Sequence, residues 1–302
     1  MAAPATAAVI REVNERYHDG AATGYDAKWG IDFGPVGQAQ VAGKLAKALG
    51  HPPGPFERAL EIGAGTGYFS LNLVQAGVVR EAVCTDISPV MLDTLQANAA
   101  RLGVTVETVA CDAEQLPFED AAFDFVLGHA VLHHLPDLDQ AFGEFLRVLR
   151  PGGEFAFAGE PSRRGDRIAT FPKRAAVRAA PAWRRALRAA PSVVGHSDGG
   201  AENHQYEASV DVHAFSPEEL AGFAEHAGFT DVRVRGEELL ANWFGWTNRT
   251  LEASADPDTV PFAWKLYAYR GYLLLQEVDR RLLEQRLPPA IFYNLMVSGQ
   301  RP

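Results

Sequence analysis

A glycine-rich stretch between a strand-like run and a helical pattern constrains this chain more than any other feature. In "RALEIGAGTGYFSLNLVQAG", residues 58–77, glycine recurs at every second position as Gly63, Gly65 and Gly67. Glycine weakens strands and helices alike, so this spacing indicates a backbone conformation that other residues disfavour, or a closely approaching ligand. We therefore expect a special turn or a ligand directly after the first strand.

Strand-like and helix-like segments alternate from residue 54 to residue 160. Helical patterns separate the apolar runs "ERALEIG", "EAVCTDI", "VTVETVACD", "FDFVLG" and "GEFAFAGE". Ser88 followed by Pro89 is a typical helix start, and Gly103 is a typical helix end. The alternation predicts an α/β fold with a doubly wound parallel sheet that is covered by helices on both faces.

The chain outside this core divides into segments of different composition. We expect a helical lid segment over 1–53, a basic insertion or cap over 161–215, a core helix and strand over 216–236, an aromatic helical insertion or cap over 237–289, and a final core strand over 290–302. Ser216 and Pro217 mark the start of the core helix. Two insertions that rise from one sheet would form a cap over it.

The composition restricts the classes of partner. The 302 residues are 47% hydrophobic and 22% charged, as in ordinary globular proteins, and the net charge is −10. A nucleic-acid binder needs a positive field toward its partner, so we expect no nucleic acid and at most peripheral membrane contact. The first residues contain neither a basic leader nor a long apolar run, which predicts a cytoplasmic protein. The two cysteines follow no metal-ligand pattern. His129 and His133 have the i, i+4 spacing of metal ligands on a helix, but no acidic third ligand follows at a useful spacing, so we expect no metal.

Acidic residues at two strand ends indicate the kind of ligand. Asp86 ends the second strand, where a carboxylate can accept hydrogen bonds from ribose hydroxyls. Asp112 ends the third strand, where a carboxylate can accept a hydrogen bond from the exocyclic amino group of a nucleobase. The dinucleotide pattern GxGxxG is not met, because Tyr68 stands where its third glycine belongs. The pattern favours a nucleoside without phosphates, and dinucleotide binding remains an alternative.

Five segments together resemble a known family. In order and spacing, "LEIGAGTG", "CTDIS", "CDAEQLPF", "FDFVLGHAVLHHL" and "LRPGGEF" resemble the motifs of class I S-adenosylmethionine-dependent methyltransferases, particularly the menaquinone-methyltransferase-like small-molecule branch. The resemblance covers residues 54–160 well and the remainder loosely. It implies a Rossmann-like seven-stranded sheet of order 3-2-1-4-5-7-6 with the last strand antiparallel. It also implies S-adenosyl-L-methionine as cofactor and in-line transfer of its methyl group to a small molecule.

The resemblance also assigns residues to the parts of that cofactor. Those that would hold its amino-acid end are Glu61, Gly63, Ala64, Gly65 and Gly67. Those that would contact its ribose and adenine are Asp86, Ile87, Asp112 and Ala113. Those that would close on its methionine portion are Gly128 and His129.

Methyl transfer from a sulfonium needs alignment and at most one base, because the leaving group is already activated. Glu160, at the end of the fifth strand, is the predicted base, with a simple ion pair to Arg163 or Arg164 as the alternative. His134 is a second catalytic candidate. His133 is expected to line the substrate site.

Aromatic residues outside the core indicate the acceptor. Tyr25 and Trp29 precede the core and Trp243 lies in the second insertion, and such residues can wall a mostly apolar pocket. The enzymes that methylate nucleobase amines carry (N/D)PP(Y/F) after the fourth strand, where this chain has "LGHAV". We therefore expect a small, largely apolar or aromatic acceptor.

Two other functions stay open at this point. Residues 163–188 hold nine basic residues and one acidic residue, as an ordinary exposed helix can. The segment would also suit recruitment of an anionic substrate, an acyl carrier or a membrane surface, and the last of these would make the protein a peripheral binding module with a regulatory cofactor site. A nucleotide-dependent oxidoreductase on a similar fold is the second alternative. The sequence does not indicate the oligomeric state.

Overall fold

Seven strands form one mixed sheet with helices on both faces. This computed structural model describes residues 6–22, 31–192 and 213–302. The strands are β1 (Phe56–Ile62), β2 (Val79–Asp86), β3 (Glu107–Ala110), β4 (Phe123–His129), β5 (Leu149–Pro161), β6 (Thr230–Glu237) and β7 (Asn294–Gln300). Their order is β3-β2-β1-β4-β5-β7-β6, and β7 runs antiparallel to both of its neighbours. The predicted α/β fold and sheet order are confirmed.

The helices begin and end where capping residues allow. They are α1 (Ala7–Ala21), α2 (Pro35–Leu49), α3 (Tyr68–Gln75), α4 (Pro89–Leu102), α5 (Leu138–Val148), α6 (Arg163–Leu187), α7 (Pro217–Ala227), α8 (Leu240–Ala253) and α9 (Phe262–Val278). The Ser88 hydroxyl accepts a hydrogen bond from the Met91 amide at the start of α4, which ends at a left-handed Gly103. Ser216 and Glu219 form a capping box at the start of α7. These capping contacts confirm the predicted start and end of α4 and the predicted start of α7.

The core lies on both faces of the sheet, because neighbouring residues of a strand point to opposite sides. In β4, Val126 belongs to a buried cluster with Phe142 of α5. Phe125 and Leu127 belong instead to a second cluster with Phe69 of α3. A strand that is buried on both faces reads as a continuous apolar run, and this is why the sequence of β4 shows little alternation.

A bulge interrupts β5 near its carboxyl end. The pairing of β5 with β7 shifts register between Phe157 and Glu160, and Gly159 adopts a positive φ of 78° within the shift. A bulge of this kind re-aims the side chain that follows it. Here Glu160 is turned under the short 3₁₀ turn Leu132–His134, which follows β4.

The helices α6, α8 and α9 form a layer in which α8 packs against both of the others. Ala176 and Ala180 of α6 share a buried cluster with Leu251 of α8. Trp183 of α6 and Trp264 of α9 meet edge to face with their ring centroids 5.2 Å apart. Within the described ranges, no helix combines the length and the apolar character that a membrane span requires.

Candidate active site

The glycine loop after β1 forms the floor of a cradle. Gly63 has a φ of 63°, and a Cβ atom there would lie 2.5 Å from the Val131 side chain. Gly65 has a φ of 52°, and no atom of the described residues lies within 4 Å of the position its Cβ would take. Gly65 lines a cavity, so a side chain at this position would project into space that a ligand can occupy. The sequence-based expectation of close approach therefore has a geometric basis at Gly65.

Glu61 lies at the back of the cradle with only 2% of its surface exposed. One of its carboxylate oxygens accepts a hydrogen bond from the Ser70 amide at 2.9 Å. Burial raises the pKa of Glu61 to about 7, although the bonds from Ser70 oppose the shift. A buried carboxylate of this kind is stabilised when a cationic group enters the cavity beside it.

Asp86 occupies the end of β2 beside the loop. Its two oxygens accept hydrogen bonds from the Gly65 and Ser88 amides, each at 2.9 Å. Burial raises the pKa of Asp86 as well. Each carboxylate oxygen has capacity for a second donor, and Asp86 and Ile87 both line the cavity. The side chain is thus fixed in orientation and can still accept hydroxyl donors.

Asp112 already has a cationic partner. The Nε atom of Arg11 lies 2.6 Å from one Asp112 oxygen, and the Glu114 amide donates to the other at 3.0 Å. Arg11 also pairs with the nearly buried Glu114. Asp112 still lines the cavity, so an amino group that binds there must share the carboxylate with Arg11.

One face of α1, within the segment 1–53 that was predicted as a helical lid, closes over this end of the cavity through residues that the sequence analysis did not single out. Arg11, Asn14 and His18 line the cavity from successive turns of α1. Asp19 accepts a hydrogen bond from the Ser88 hydroxyl at 2.6 Å, which ties α1 to the start of α4. The polar residues at i, i+3 and i+7 were the available signal, but such a stripe also fits a solvent-exposed face.

A single cavity of about 2230 Å³ joins this cradle to a second chamber under the cap. The predicted site residues that line it are Glu61, Gly63, Ala64, Gly65, Asp86, Ile87, Asp112, Ala113, His129, His133 and His134. Gly67 and Gly128 do not line it, because a Cβ at either position would meet packed side chains within 2.8 Å. Tyr25 and Trp29 lie outside the described residues.

The structure corrects the role predicted for Glu160. The side chain is fully buried, and its two oxygens accept hydrogen bonds from the backbone amides of Val131, Leu132 and His133. One of these oxygens also lies 2.8 Å from Nδ1 of His133. Glu160 therefore cannot reach an acceptor directly. The alternative pairing with Arg163 is wrong too, because Arg163 pairs with Glu219.

The three histidines near β4 have different surroundings. His133 is held by Glu160, and its ring centroid lies 3.9 Å from that of His134 with the two rings tilted by 48°. His134 faces α1, since its carbonyl accepts from Asn14 and its ring meets His18 at 5.5 Å. Burial and the charge of Lys44 lower the pKa of His129 to about 3, so this imidazole stays neutral. Glu160 orients the ring of His133 and can stabilise a proton on it.

The second chamber is bounded by a buried ion-pair cluster at the end of β6. Glu237 accepts from Lys44 at 2.6 Å and from Lys47 at 3.0 Å. Although burial opposes the shift, the two lysines lower the pKa of Glu237 to about 2. The next residue, Glu238, has a positive φ of 59° and accepts from the Tyr272 hydroxyl at 2.7 Å. These long-range pairs were not predicted from the sequence.

The structure also corrects the aromatic wall. Trp243 does not line the cavity, whereas Trp246, one turn further along α8, does. Lys173 of α6 lies 4.1 Å from the centre of the Trp246 ring, and Tyr293 lies 5.9 Å from it. Tyr269 and Tyr272 of α9 complete an aromatic wall on the cap side.

Comparisons with known proteins agree with this geometry. Residues 60–157 match the family model described as a methyltransferase domain. A malonyl-[acyl-carrier protein] O-methyltransferase of Methylococcus capsulatus is 38% identical over 141 residues, which are 46% of this chain and 48% of that protein. The Geobacter sulfurreducens protein of the same name is 31% identical over 228 residues, 76% of this chain and 73% of that one. A Haemonchus contortus phosphoethanolamine N-methyltransferase has the same fold, with a TM-score of 0.59, 19% identity and coverage of 97% of this chain and 60% of that one.

The chain therefore belongs to the class I S-adenosylmethionine-dependent methyltransferases, as the motifs predicted. It spans about half of the Methylococcus relative. The cradle fits the cofactor of this family, since Gly65 leaves open space above the loop and the carboxylates of Glu61 and Asp86 border that space.

Proposed function

We propose that this protein transfers a methyl group from S-adenosyl-L-methionine to a small, largely apolar or aromatic molecule. The observation that carries the proposal is that the cofactor cradle and His133, whose Nδ1 is held by the buried Glu160, line one cavity. The cofactor supplies a methyl group on a positively charged sulfur. The protein must bind and align the two reactants, exclude water and accept a proton.

Binding of the cofactor falls to the residues around the glycine loop. Glu61 would bind the ammonium group, because it is a buried carboxylate at the back of the cradle. Asp86 would accept the ribose hydroxyls with its remaining capacity. Asp112 and Ala113 would contact the adenine edge, with Arg11 covering them from α1.

His133 would take the proton from the acceptor. Glu160 lies 2.8 Å from Nδ1, so it favours the tautomer with a proton on Nδ1 and leaves Nε2 as the basic nitrogen. The same carboxylate would stabilise the imidazolium after proton transfer. Glu160 is thus a positioning residue. His129, which is neutral and partly buried beside Phe69, would orient the acceptor without exchanging a proton.

The acceptor would enter the second chamber under the cap. Trp246, Tyr269 and Tyr272 give this chamber an aromatic wall, and aromatic faces can also stabilise a sulfonium. The cavity is larger than the 300–1,000 Å³, roughly, that small-ligand sites usually occupy, which leaves room for both reactants. A cytoplasmic location remains a prediction.

Isotope-labelled S-adenosyl-L-methionine incubated with a small-molecule extract, followed by mass spectrometry, tests the proposal. A labelled small product is expected, and calorimetry should show binding of S-adenosylhomocysteine and none of NADH. Tight NADH binding without S-adenosylhomocysteine binding would establish the oxidoreductase alternative. Binding of S-adenosylhomocysteine with no labelled product in any extract would favour the regulatory binding module.

Once a product is found, two histidine variants separate the roles. His133→Asn should lower turnover by roughly 10²–10⁴ while leaving S-adenosylhomocysteine affinity unchanged. His134→Asn should have a much smaller effect on turnover, because His134 contacts α1 rather than Glu160. Unchanged turnover in His133→Asn would show that the acceptor needs no base, as expected for a carboxylate such as the one named in the malonyl relatives.

A further inference from the structure

The outward face of α6 carries a continuous stripe of arginine. Arg164, Arg167, Arg174, Arg178 and Arg185 are all exposed, and their spacings of three, four and seven residues put them on one side of the helix. The opposite side is made of small buried residues, among them Ala169, Ala176 and Ala180. The helix is thus attached to the protein by alanines and presents arginines to its surroundings.

The part of the chain that the structure describes does not neutralise this stripe. Among the described residues, no carboxylate lies within ion-pair distance of these five guanidinium groups. The other basic residues of α6 are used differently, since Arg163 pairs with Glu219 and Lys173 lies over Trp246. Five positive charges on one helix face that no described carboxylate pairs stand out in a chain whose net charge is −10. Charge complementarity therefore calls for an anionic partner.

Apolar side chains lie within and beside the stripe. Phe171 is 72% exposed in line with the arginines, and Val177 next to it is 62% exposed. Arginines can bind phosphate groups in a bidentate manner, and an exposed phenylalanine between them can enter an apolar layer just below the phosphates. With a rise of about 1.5 Å per residue, the stripe from 164 to 185 extends over roughly 30 Å, so it suits a flat, extended partner.

We propose that the outward face of α6 binds the anionic surface of a phospholipid membrane. The inference does not depend on methyl transfer. A second copy of the chain would set like charges against each other if it bound through the same face. An acidic protein shares the charge but offers no general place for Phe171. Binding is peripheral, and it keeps the cap side of the protein near the membrane, from which an apolar acceptor could enter the cavity.

Sedimentation of the full chain with phospholipid vesicles tests this proposal. Vesicles that contain phosphatidylglycerol should carry the protein down at low salt, and vesicles of phosphatidylcholine alone should not. Raising the salt should release the protein, because exposed charges are screened. No sedimentation with anionic vesicles at low salt would overturn the proposal.

Matched variants locate the surface. Arg174→Glu/Arg178→Glu should reduce the bound fraction at least tenfold, and Phe171→Ser should reduce it less. Arg16→Glu/Arg80→Glu makes the same change in net charge at exposed positions elsewhere and should leave binding near that of the unmodified chain. Melting temperatures establish that the variants are folded. Equal loss in both double variants would overturn the assignment to α6. The membrane proposal would also be overturned if the protein did not bind vesicles but bound an immobilised acidic carrier protein or dimerised through α6.

Discussion

The cofactor cradle and the second chamber, here called the acceptor chamber because we propose that the acceptor binds there, occupy the same cavity but are built in different ways. In the cradle, the carboxylates lie at or near strand ends and accept hydrogen bonds from backbone amides of the turns around them, as Asp86 does from Gly65 and Ser88. In the acceptor chamber, the polar groups are held across the chain. Glu160 holds His133 from 27 residues away, and Glu237 holds Lys44 from 193 residues away.

This difference shows which interactions fix the geometry of each region. The backbone of parallel strands and their turns supplies the geometry of the cradle, so a change in one side chain there should affect binding more than folding. The acceptor chamber depends on buried carboxylates that satisfy several donors at once. Loss of one of these carboxylates should therefore affect folding as well as function.

Replacing Glu160 by leucine tests the largest expected effect, which is a loss of stability on removing a buried carboxylate of the acceptor chamber. The substitution leaves three backbone amides and Nδ1 of His133 without their acceptor, which should cost roughly 3–5 kcal/mol of unfolding free energy. Glu160→Gln keeps an oxygen acceptor and should cost less. Urea denaturation measures both. If Glu160→Leu unfolds like the unmodified chain, the carboxylate does not stabilise the turn after β4.

Asp86→Asn tests the cradle, where we expect a change in ligand affinity and little change in stability. The amide can accept with only one atom, so S-adenosylhomocysteine affinity should fall by about 1–3 kcal/mol, while the melting temperature changes little. Asp93→Asn, an exposed change on α4, is the control and should alter neither quantity. Calorimetry gives the affinities. A collapse in stability with unchanged affinity would make Asp86 a structural carboxylate like Glu160.

The sequence was sufficient for the sheet and for most of the cradle. In a parallel sheet the carboxyl ends of the strands share one edge, so the positions of Gly65, Asp86 and Asp112 followed from strand order alone. Ser88 and Gly103 could be assigned to helix ends because capping depends on residues a few positions away.

The acceptor chamber could not be predicted in this way. Glu160 was correctly placed at a strand end, but the register shift in β5 turns its side chain under the turn after β4 instead of into the cavity. A bulge depends on the pairing of two strands and leaves no clear local pattern. Trp243 and Trp246 are both aromatic residues of α8, and only the packing of the cap decides which of them faces the cavity.

The pH dependence of stability offers a smaller test within the cradle. Burial raises the pKa of Glu61 to about 7 in the folded protein, from an ordinary value of 4.5. Between pH 4.5 and pH 7 the folded chain keeps a proton on Glu61 that the unfolded chain releases. The folded state is therefore most stable below pH 4.5, and its free energy of unfolding falls as the pH rises toward 7. Urea denaturation at pH 5 and at pH 8 should show that the free energy of unfolding is about 2 kcal/mol lower at pH 8. Glu61→Gln should abolish this difference.

Two controls distinguish Glu61 from other titrating groups. Glu81→Gln changes an exposed carboxylate on β2 and should leave the pH dependence as it is. Saturating S-adenosylhomocysteine should weaken the dependence, because its ammonium group would favour the ionised carboxylate. If Glu61→Gln keeps the full pH dependence, the proton is bound elsewhere and Glu61 is ionised throughout.

The smallest expected effect concerns α1, which covers the cradle without belonging to the sheet. Arg11→Met removes the contacts to Asp112 and Glu114 but leaves the Asp19–Ser88 hydrogen bond. Partly exposed ion pairs contribute little, so S-adenosylhomocysteine should dissociate faster by about tenfold or less, with little change in melting temperature. Arg16→Met, whose ion-pair partner Glu12 lies within α1, is the control in stopped-flow measurements. Slower dissociation in Arg11→Met would mean that Arg11 competes with the adenine for Asp112, and that α1 obstructs the cradle instead of closing it.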